Sequence, residues 1–565
     1  MAAVWSAAEA AISTDPSESA LVAFEAASQD AVVDIVHLVS LYPYQDLGED
    51  GDWIAPVMAV AAMALPDGEE GSSETTELTW SDRGWISGAG DAPAQVYFEG
   101  RVTQPLKIDR SMPIAPDASR RLAVQVGAIE AVGADGALDE IASSYPIDGR
   151  RVVVRRGRRT DPLADFAVLH DGSGVSYEVR RERLALNLSD NSFLADMPLQ
   201  TTFYGGGGGA DGTAEMTGKP KPILFGRCFN VSPVLIDPAY LVWQFHVRQA
   251  QAVDGVYDKG AALTFDANYA SYAALIAAAI PAGRYATCLA EGMIRCQAQP
   301  SGQLTADLKG DAACGYVSVA ADVAKRAATD FAGLALSALD LGSFSVLAAA
   351  APYDVGFFAG AEEKPLLSDL FDQLAQSVGG WWGCQARGQI GIARLAEPAS
   401  SYSMQLDDTN LLALDQVPLP QGLTPPPWRL AVGYRPNSTV QSADQLAGSV
   451  AAARVQTLAQ KYLAEASFSA VVATRHIQAR APVPIETLLY DQASAAAEAA
   501  RLIALHGVDR LMLEAKLGAP GFRLDLGQTV RVVNPRYGLA SGKYMAVVGL
   551  ALDCARGETV ATLWG

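Results

Sequence analysis

The chain has 565 residues, of which 63 are acidic and 42 are lysine or arginine, so its formal net charge at pH 7 is −21. Half of the residues are hydrophobic and 19% are charged, which excludes an intrinsically disordered chain and allows several buried cores. The acidic excess argues against a general nucleic-acid-binding protein, because the neutralisation of phosphates requires a basic surface.

The first 30 residues are rich in alanine and predict a loose helix or an arm. They carry Glu9 and Asp15 and lack a basic region, so we expect no secretory signal. The longest apolar run, residues 54–65, is much shorter than a membrane-spanning helix, and no membrane span is predicted. Residues 32–41 are rich in β-branched side chains and predict a strand.

Short β-type runs, separated by glycine, aspartate and proline, fill residues 80–200 and predict a β-sandwich or barrel. The five consecutive glycines at 205–209 predict a mobile loop or linker, because a glycine has no side chain to pack. The β-rich pattern resumes over residues 218–310.

The pattern becomes mixed α and β from residue 311 onward. Residues 317–335 have helical character. Residues 366–378 place apolar side chains at intervals of three and four after Pro365, which predicts an amphipathic helix. Residues 389–395 predict a strand that follows this helix.

Two further helices are predicted from their capping residues. Ser442 and Gln445 form a capping-box pattern, which predicts a helix that runs to about Ala466. Asp491 is expected to cap a second helix that ends at Gly507. The tail of the chain then alternates strand and turn patterns.

Together these patterns predict a multidomain, β-rich α+β protein with β-sandwich or barrel-like modules and a central α+β domain. No internal repeat with a fixed solenoid period is present. The predicted parts are an N-terminal arm (1–30), a β-rich module (31–204), a glycine-rich loop (205–217), a continuation of the β-rich region (218–310), an α+β core (311–414), a proline-rich connector (415–428) and a C-terminal α+β module that ends in a β-domain (429–565).

The sequence contains no motif that predicts catalysis or metal binding. The five histidines and six cysteines have neither the spacing of a zinc site nor a C-x-x-C pair, so we expect reduced thiols. Ordinary buried thiols explain Cys288, Cys296 and Cys314 better than a metal site, which normally needs four ligands. The acidic run 46–53 lacks the order of a calcium loop, and the glycine run lacks that of a phosphate loop. We therefore predict no catalytic, cofactor-binding or metal-binding residue and no cofactor.

Arginines are concentrated in one part of this acidic chain. Six lie between Arg150 and Arg159, and three more follow at Arg180, Arg181 and Arg183. One interpretation is an edge hairpin whose charges prevent unwanted strand pairing. Another is a docking surface for an acidic neighbour, in which guanidinium groups pair with carboxylates. The two interpretations are compatible.

Several segments, taken in order, resemble the central tail-hub or baseplate proteins of tailed bacteriophages and of phage-derived gene-transfer particles. Residues 80–113, 128–141 and 145–157 resemble the N-terminal β-rich module of such hubs, and residues 218–238, 253–264 and 300–310 resemble the region that follows. Residues 369–395, with their GGWWGCQARGQIGIARL, resemble the helix-plus-strand module of the core, and residues 526–565 resemble the terminal β-domain. The resemblance covers most of the chain from residue 80 and leaves the first 30 residues outside.

The resemblance implies a structural virion protein of the tail tip or baseplate and not an enzyme. It implies a homo-oligomer, typically a trimer, beneath the hexameric ring of a distal tail protein, with a tape-measure protein and a tail fibre or tip as further partners. It also implies two related β-modules, one within residues 30–310 and one within 420–565. We expect assembly in the host cytoplasm, a DNA channel partly lined by the acidic excess, and no sequence-specific nucleic-acid contact.

Other functions remain open at this point. The first is the distal tail ring protein itself, whose subunits are usually shorter. The second is a receptor-binding or carbohydrate-binding tail protein, for which Trp381–Trp382 is the best candidate stacking platform, although a core or interface pair is favoured. The third is a tail-associated cell-wall hydrolase, for which the sequence carries no signature.

Overall fold

The computed structural model describes residues 35–41, 77–116, 118–144 and 146–565. These residues form a β-rich α+β protein of several sheets and helices, as predicted. The predicted arm (1–30) and the acidic run 46–53 lie outside the described residues. The predicted strand at 32–41 is confirmed over Ile35–Leu41.

The first module is built largely from one sheet. Its elements are β1 (Ile35–Leu41), β2 (Leu78–Ser81), β3 (Trp85–Ile86), β4 (Tyr97–Gly100), β5 (Val102–Gln104), β6 (Lys107–Ser111), β7 (Ala123–Val126), β8 (Ile129–Val132), helix α1 (Ala137–Ser144), β9 (Arg151–Arg158), β10 (Ala167–Arg180) and β11 (Arg183–Ser189). Nine of these strands lie side by side in the order β3-β4-β2-β1-β9-β10-β11-β8-β5.

This sheet closes on itself and forms what we call the first barrel. A single residue, Arg101, separates β4 from β5, which lie near opposite ends of the strand order. The carbonyl of Arg101 accepts the N–H of Val132, at the end of β8, over 2.8 Å. The alternation along β11, where Leu184, Leu186 and Leu188 are buried, supplies one wall of the core.

The second module contains two five-stranded sheets. Its elements are β12 (Ile223–Val231), β13 (Val234–Asp237), β14 (Val242–Gln244), β15 (Ala250–Asp258), β16 (Ala261–Ala262), β17 (Thr264–Asn268), helix α2 (Tyr272–Ala277), β18 (Arg284–Cys288), β19 (Met293–Cys296) and β20 (Leu304–Asp311), with β21 (Gly356–Ala359) added from further along the chain. The strand orders are β16-β15-β20-β12-β21 and β13-β14-β19-β18-β17.

The α+β core lies around helices α3 (Ala320–Arg326), α4 (Leu341–Ala350) and α5 (Leu367–Ser377) and the pair β22 (Gly380–Cys384) and β23 (Ile390–Arg394). The predicted amphipathic helix is therefore confirmed. Its apolar stripe, which includes Leu370, Phe371 and Leu374, is buried in the largest hydrophobic cluster of the described residues.

The last module forms a second sheet of the barrel type. Its elements are β24 (Met404–Leu406), β25 (Leu411–Gln416), β26 (Arg429–Tyr434), helix α6 (Ala452–Leu458), β27 (Leu463–Phe468), helices α7 (Ala470–Arg475) and α8 (Gln492–His506), β28 (Met512–Leu517), β29 (Thr529–Val532), β30 (Lys543–Asp553) and β31 (Glu558–Trp564). Six strands follow the order β24-β29-β30-β31-β28-β25, and a four-residue turn (407–410) joins the two end strands. We call this sheet the second barrel.

The long helix predicted from Ser442 to about Ala466 is wrong. The capping box forms, because the N–H of Ser442 donates to Oε1 of Gln445 over 2.9 Å, but it opens a single 3-10 turn. The chain then forms the short helix α6 and the strand β27, which pairs along its whole length with β26. Strand pairing therefore overrides the local helical signal. The helix predicted after Asp491 is confirmed as α8, which ends at His506, directly before Gly507, but the Asp491 side chain makes no capping hydrogen bond.

The glycine run at 205–209, predicted as a mobile loop or linker, is a loop that is held by its own hydrogen bonds. The backbone N–H of Gly205 donates to the carboxylate of Asp211 over 3.0 Å, and that of Gly208 to the carbonyl of Gly212 over 2.8 Å. A Cβ on Gly206, whose φ is +76°, would lie 2.0 Å from the hydroxyl of Thr217. The glycines here thus allow the backbone to pack closely, and this close packing, not conformational freedom, explains their presence.

Candidate functional site

The two barrels share one strand order. In the second barrel the order is β24, β29, β30, β31, β28, β25. In the first it is β4, β9, β10, β11, β8, β5, with β2 and β1 inserted between β4 and β9 and with β3 added beyond β4. The pairs β9–β10, β10–β11, β8–β11 and β5–β8 are antiparallel, as are their four counterparts. The described chain therefore contains the same barrel topology twice.

The correspondence extends to the place where each barrel is interrupted. Between β5 and β8 the chain leaves the first barrel to form the hairpin β6–β7. Between β25 and β28 it leaves the second barrel to form β26, β27 and helices α6 to α8. Each barrel thus sends out one excursion from the same point of its topology.

The excursion of the first barrel joins the two barrels. Strand β6 pairs antiparallel with the second half of β30, from Lys107 opposite Asp553 to Ser111 opposite Gly549. The first half of β30 pairs with β29 on the same side, so this one long strand carries both partners. Pairing between strands from opposite parts of the chain makes the two barrels one structural unit.

Side chains of the second barrel complete the core of the first. Phe522, Leu552 and Cys554 are buried in the hydrophobic cluster of the first barrel. The guanidinium of Arg156 lies 4.0 Å from the centre of the Phe522 ring, within the range of a cation–π contact. The almost fully buried Arg110 lies 3.3 Å from the carboxylate of Asp525. The junction is therefore both apolar and ionic.

The structure corrects the interpretation as an edge hairpin for the six arginines from Arg150 to Arg159. Strand β9, which carries most of these arginines, pairs with β1 on one side and β10 on the other. Arg156 points into the junction of the barrels, and Arg151 holds the carboxylate of Asp171 over 2.7 Å. Because these contacts lie inside the chain, the guanidinium groups act largely as internal ties.

The second group of arginines lies at an exposed hairpin end. Arg180, Arg181 and Arg183 surround the turn between β10 and β11. Arg180 contacts Glu178 over 2.9 Å, and Arg183 contacts Glu130 over 3.1 Å. This end is accessible, and its positive charge is largely balanced.

A buried ion cluster links the second module to the α+β core. The carboxylate of Asp311, at the end of β20, is fully buried and accepts hydrogen bonds from Arg248 (2.5 and 3.0 Å), Arg326 (2.6 Å) and His246 (3.3 Å). The N–H of Leu224 donates to Nδ1 of His246 over 3.0 Å, so the proton of the neutral ring is on Nε2. Burial alone would raise the pKa of Asp311, but these donors outweigh it and hold the pKa below its usual range.

A second cluster joins helix α8 to the core. The buried carboxylate of Glu498 binds the guanidinium groups of Arg394 and Arg501. The same guanidinium groups donate to the carbonyls of Ala350 and Leu395, each over 2.7 Å. In both clusters the carboxylate already has cationic partners from the chain, an arrangement that fixes helices and strands relative to one another.

We predict that the protein loses stability in mild acid, because three of its histidines are buried. Burial lowers the pKa of His170 to about 4 and that of His506 to about 3, and it also lowers the pKa of His246. The unfolded chain binds protons below about pH 6.5 while these folded groups do not, so stability falls as the pH falls. From pH 7 to pH 5.5 we expect a loss of about 1 kcal/mol for His170 and for His506, and a further loss for His246.

The measurement is urea unfolding at the two pH values. A His170→Asn variant is expected to lose less stability between them than the parent chain does. An unchanged difference in that variant would show that His170 does not contribute.

The cysteines show no disulfide geometry in the described residues, and all six are free thiols. Cys288 and Cys296 are buried in neighbouring strands, whereas Cys314 is exposed. Burial raises the pKa of the Cys296 thiol to about 12 and raises that of Cys288. Within residues 35–41, 77–116, 118–144 and 146–565, no group of three or more His, Cys, Asp or Glu side chains is placed to hold a metal ion.

The tryptophan pair belongs to the core. Trp381 is 6% exposed and Trp382 is fully buried. The Trp382 indole N–H donates to the carboxylate of Asp372 over 2.6 Å, and its ring packs edge-on against Phe371. The favoured interpretation of this pair is confirmed, and it offers no open stacking platform for a sugar.

None of the helices described is both long and apolar enough to cross a membrane.

No protein-family model matches the chain, and no curated protein matches it. Solved structures similar to it include a 43 kDa tail protein of prophage MuSo2 from Shewanella oneidensis, with 11% identity, coverage of 83% of this chain and 93% of that one, and a TM-score of 0.34. A tail protein from Neisseria meningitidis MC58 has 11% identity, coverage of 81% and 91%, and a TM-score of 0.30. A chain of a native gene transfer agent particle has 13% identity, coverage of 61% and 84%, and a TM-score of 0.36.

Proposed function

We propose that this protein is a structural subunit of a phage or gene-transfer-agent tail and serves as the hub of the tail tip or baseplate. The observation that carries the proposal is the repetition of one barrel topology within a single chain. The resemblance of the ordered sequence segments to tail hubs supports it independently.

The repetition gives three chains six barrels that share this six-strand order. A closed ring needs interfaces that return to the start after a fixed rotation, and three copies of a two-barrel chain satisfy threefold and approximate sixfold symmetry together. The six barrels would contact a hexameric ring of distal tail protein. The parts that occur only once in each chain would contact a fibre or tip.

The proposed partners are the distal tail ring, the tape-measure protein and the fibre or tip proteins. The proposed location is the virion, after assembly in the host cytoplasm, and the role requires no turnover chemistry or cofactor. The net charge of −21 would keep passing DNA from adhering to the channel wall. A channel lined by the arginines of β9 would contradict this part of the proposal.

The first test is the mass of the purified chain in solution, measured by light scattering over a range of concentrations. We expect a trimer of about 178 kDa, three times the 59.3 kDa chain. Incubation of the same sample with purified peptidoglycan is expected to release no fragments. Hydrolysis that a single substitution abolishes would replace the proposal with the hydrolase alternative.

A further inference from the structure

The second halves of β10 and β30 occupy equivalent places but have different neighbours. Residues Gly549–Asp553 of β30 pair with β31 on one side and with β6 on the other. In β10, pairing with β9 ends at Ser173, and a single bridge from Asp148 follows at Gly174. In the described part of the chain, residues 176–180 of β10 then pair with β11 alone, and Val175 lies in a bulge of that pairing. Among the described residues no strand lies on the other side of residues 176–180, where the second barrel holds β6, and we call this side of β10 the open edge.

The open edge of β10 carries exposed apolar side chains. Val175 is 50% exposed and Val179 is 46% exposed. Counted from the bulge that each strand carries, Val548 and Leu552 of β30 take the same places as these two valines, and they are 3% and 4% exposed. An open strand edge with exposed valines is a template for another chain.

A second exposed apolar feature lies in the excursion of the second barrel. The segment 469–484, which we call the arm, follows β27 and includes helix α7. Ile477 is 98% exposed, Val483 is 83% exposed and Val471 is 70% exposed. The other exposed large aliphatic side chains among the described residues are 40–61% exposed.

The base of the arm is fixed to the body of the protein. The carboxylate of Asp509 forms an ion pair with Arg475 over 2.9 Å and lies 2.8 Å from Nε2 of His476. The hydroxyl of Ser469 donates to the carbonyl of Gly507 over 3.1 Å. The exposed side chains are therefore held out on an anchored base, so less conformational entropy is lost when they are covered.

We propose that the arm of one copy of this chain docks on the open β10 edge of the next copy. The inference rests on the proposed ring. The choice of the arm follows from the equivalence of the two excursions. Strand β6 belongs to the excursion between β5 and β8 and covers β30 within the chain. The arm belongs to the equivalent excursion between β25 and β28, so we assign it to the equivalent edge, that of β10. Ile477 and Val483 would pack against Val175 and Val179. Because Arg180 and Arg183 already have acidic partners, the hairpin end does not repel the basic arm strongly.

The contact is head-to-tail, since the arm and the edge belong to different barrels. Such a heterologous contact generates a closed ring or an open fibre, depending on the rotation between copies. In the proposed contact the arm of one chain would cover β10 of the next chain, as β6 covers β30 within one chain.

The test is a disulfide cross-link between copies. The variant with Val179→Cys and Ile477→Cys is made in a Cys314→Ser background, because Cys314 is the exposed cysteine among the six. Mild oxidation is expected to link this variant into covalent trimers, since a disulfide forms only between residues whose Cα atoms lie within about 7 Å. Each single-cysteine variant is expected to remain unlinked. The matched control pairs Val179→Cys with Leu412→Cys, whose side chain is 61% exposed on β25, and is also expected to remain unlinked.

The outcomes separate this inference from the proposed function. A trimer by light scattering that gives no cross-link would overturn the inference and leave the hub proposal in place. A cross-link between two Val179→Cys chains would show a symmetric contact and would also overturn it. A chain that is monomeric in solution and forms no ring in particles would overturn both. In addition, Ile477→Asp is expected to weaken trimer formation at least about tenfold, because docking would bury a charge.

Discussion

Replacement of Asp311 by alanine is expected to lower the free energy of unfolding by about 3–5 kcal/mol. The carboxylate is fully buried and is the shared partner of Arg248, Arg326 and His246. Its removal leaves two guanidinium groups at the boundary between the second module and the α+β core without their main acceptor. Asp330, which lies 3.0 Å from Arg248 and 3.3 Å from Arg326, compensates for part of the loss.

The measurement is urea unfolding at pH 7, followed by tryptophan fluorescence. The control is Asp415→Ala, on the exposed edge strand β25, which is expected to change stability by less than about 0.5 kcal/mol. A loss below about 1 kcal/mol in the Asp311 variant would mean that the cluster does not hold the two modules together.

Replacement of Phe522 by alanine is expected to cost about 3–5 kcal/mol and to weaken ring formation. Phe522 is 3% exposed and enters the core of the first barrel from the second. Alanine would leave a cavity at the junction and remove the ring that covers the buried Arg156. The two barrels would then lose a fixed relative position, which a closed ring of six barrels requires.

Both stability and mass are measured for this variant. The control is Phe203→Ala, whose ring is 52% exposed and which is expected to lose less than about 1 kcal/mol and to keep the oligomer. If the Phe522 variant were destabilised but formed rings of normal affinity, the junction would be a folding element without a role in assembly.

The sequence predicted those elements whose signals are local. The periodicity of residues 366–378 predicted α5, and Asp491 and Gly507 correctly delimited α8. The helix predicted from Ser442 was wrong because β27 gains more from pairing with β26 than from continuing a helix. The hydrogen bonds that hold the glycine run were not predicted, because they are made by the backbone, which no side-chain pattern reveals.

The junction of the barrels could not be predicted from local sequence patterns, for a different reason. Strand order and the pairing of β6 with β30 join residues more than 400 positions apart, and periodicity carries no information about such partners. The topological repeat has no fixed period, since the two barrels carry excursions of very different length. The clustered arginines of β9 could have indicated the junction. The sequence alone did not show whether they make contacts within the chain or lie at the edge of a sheet.

Rotational symmetry in assembled particles tests the account most directly. An electron cryo-microscopy map of the tail tip, computed without imposed symmetry, is expected to show three copies of this chain in a ring of six barrels, alternating between the 35–189 and 404–564 types. A map in which the chain occupies one position, or in which only one of its barrels contributes to the ring, would contradict the account.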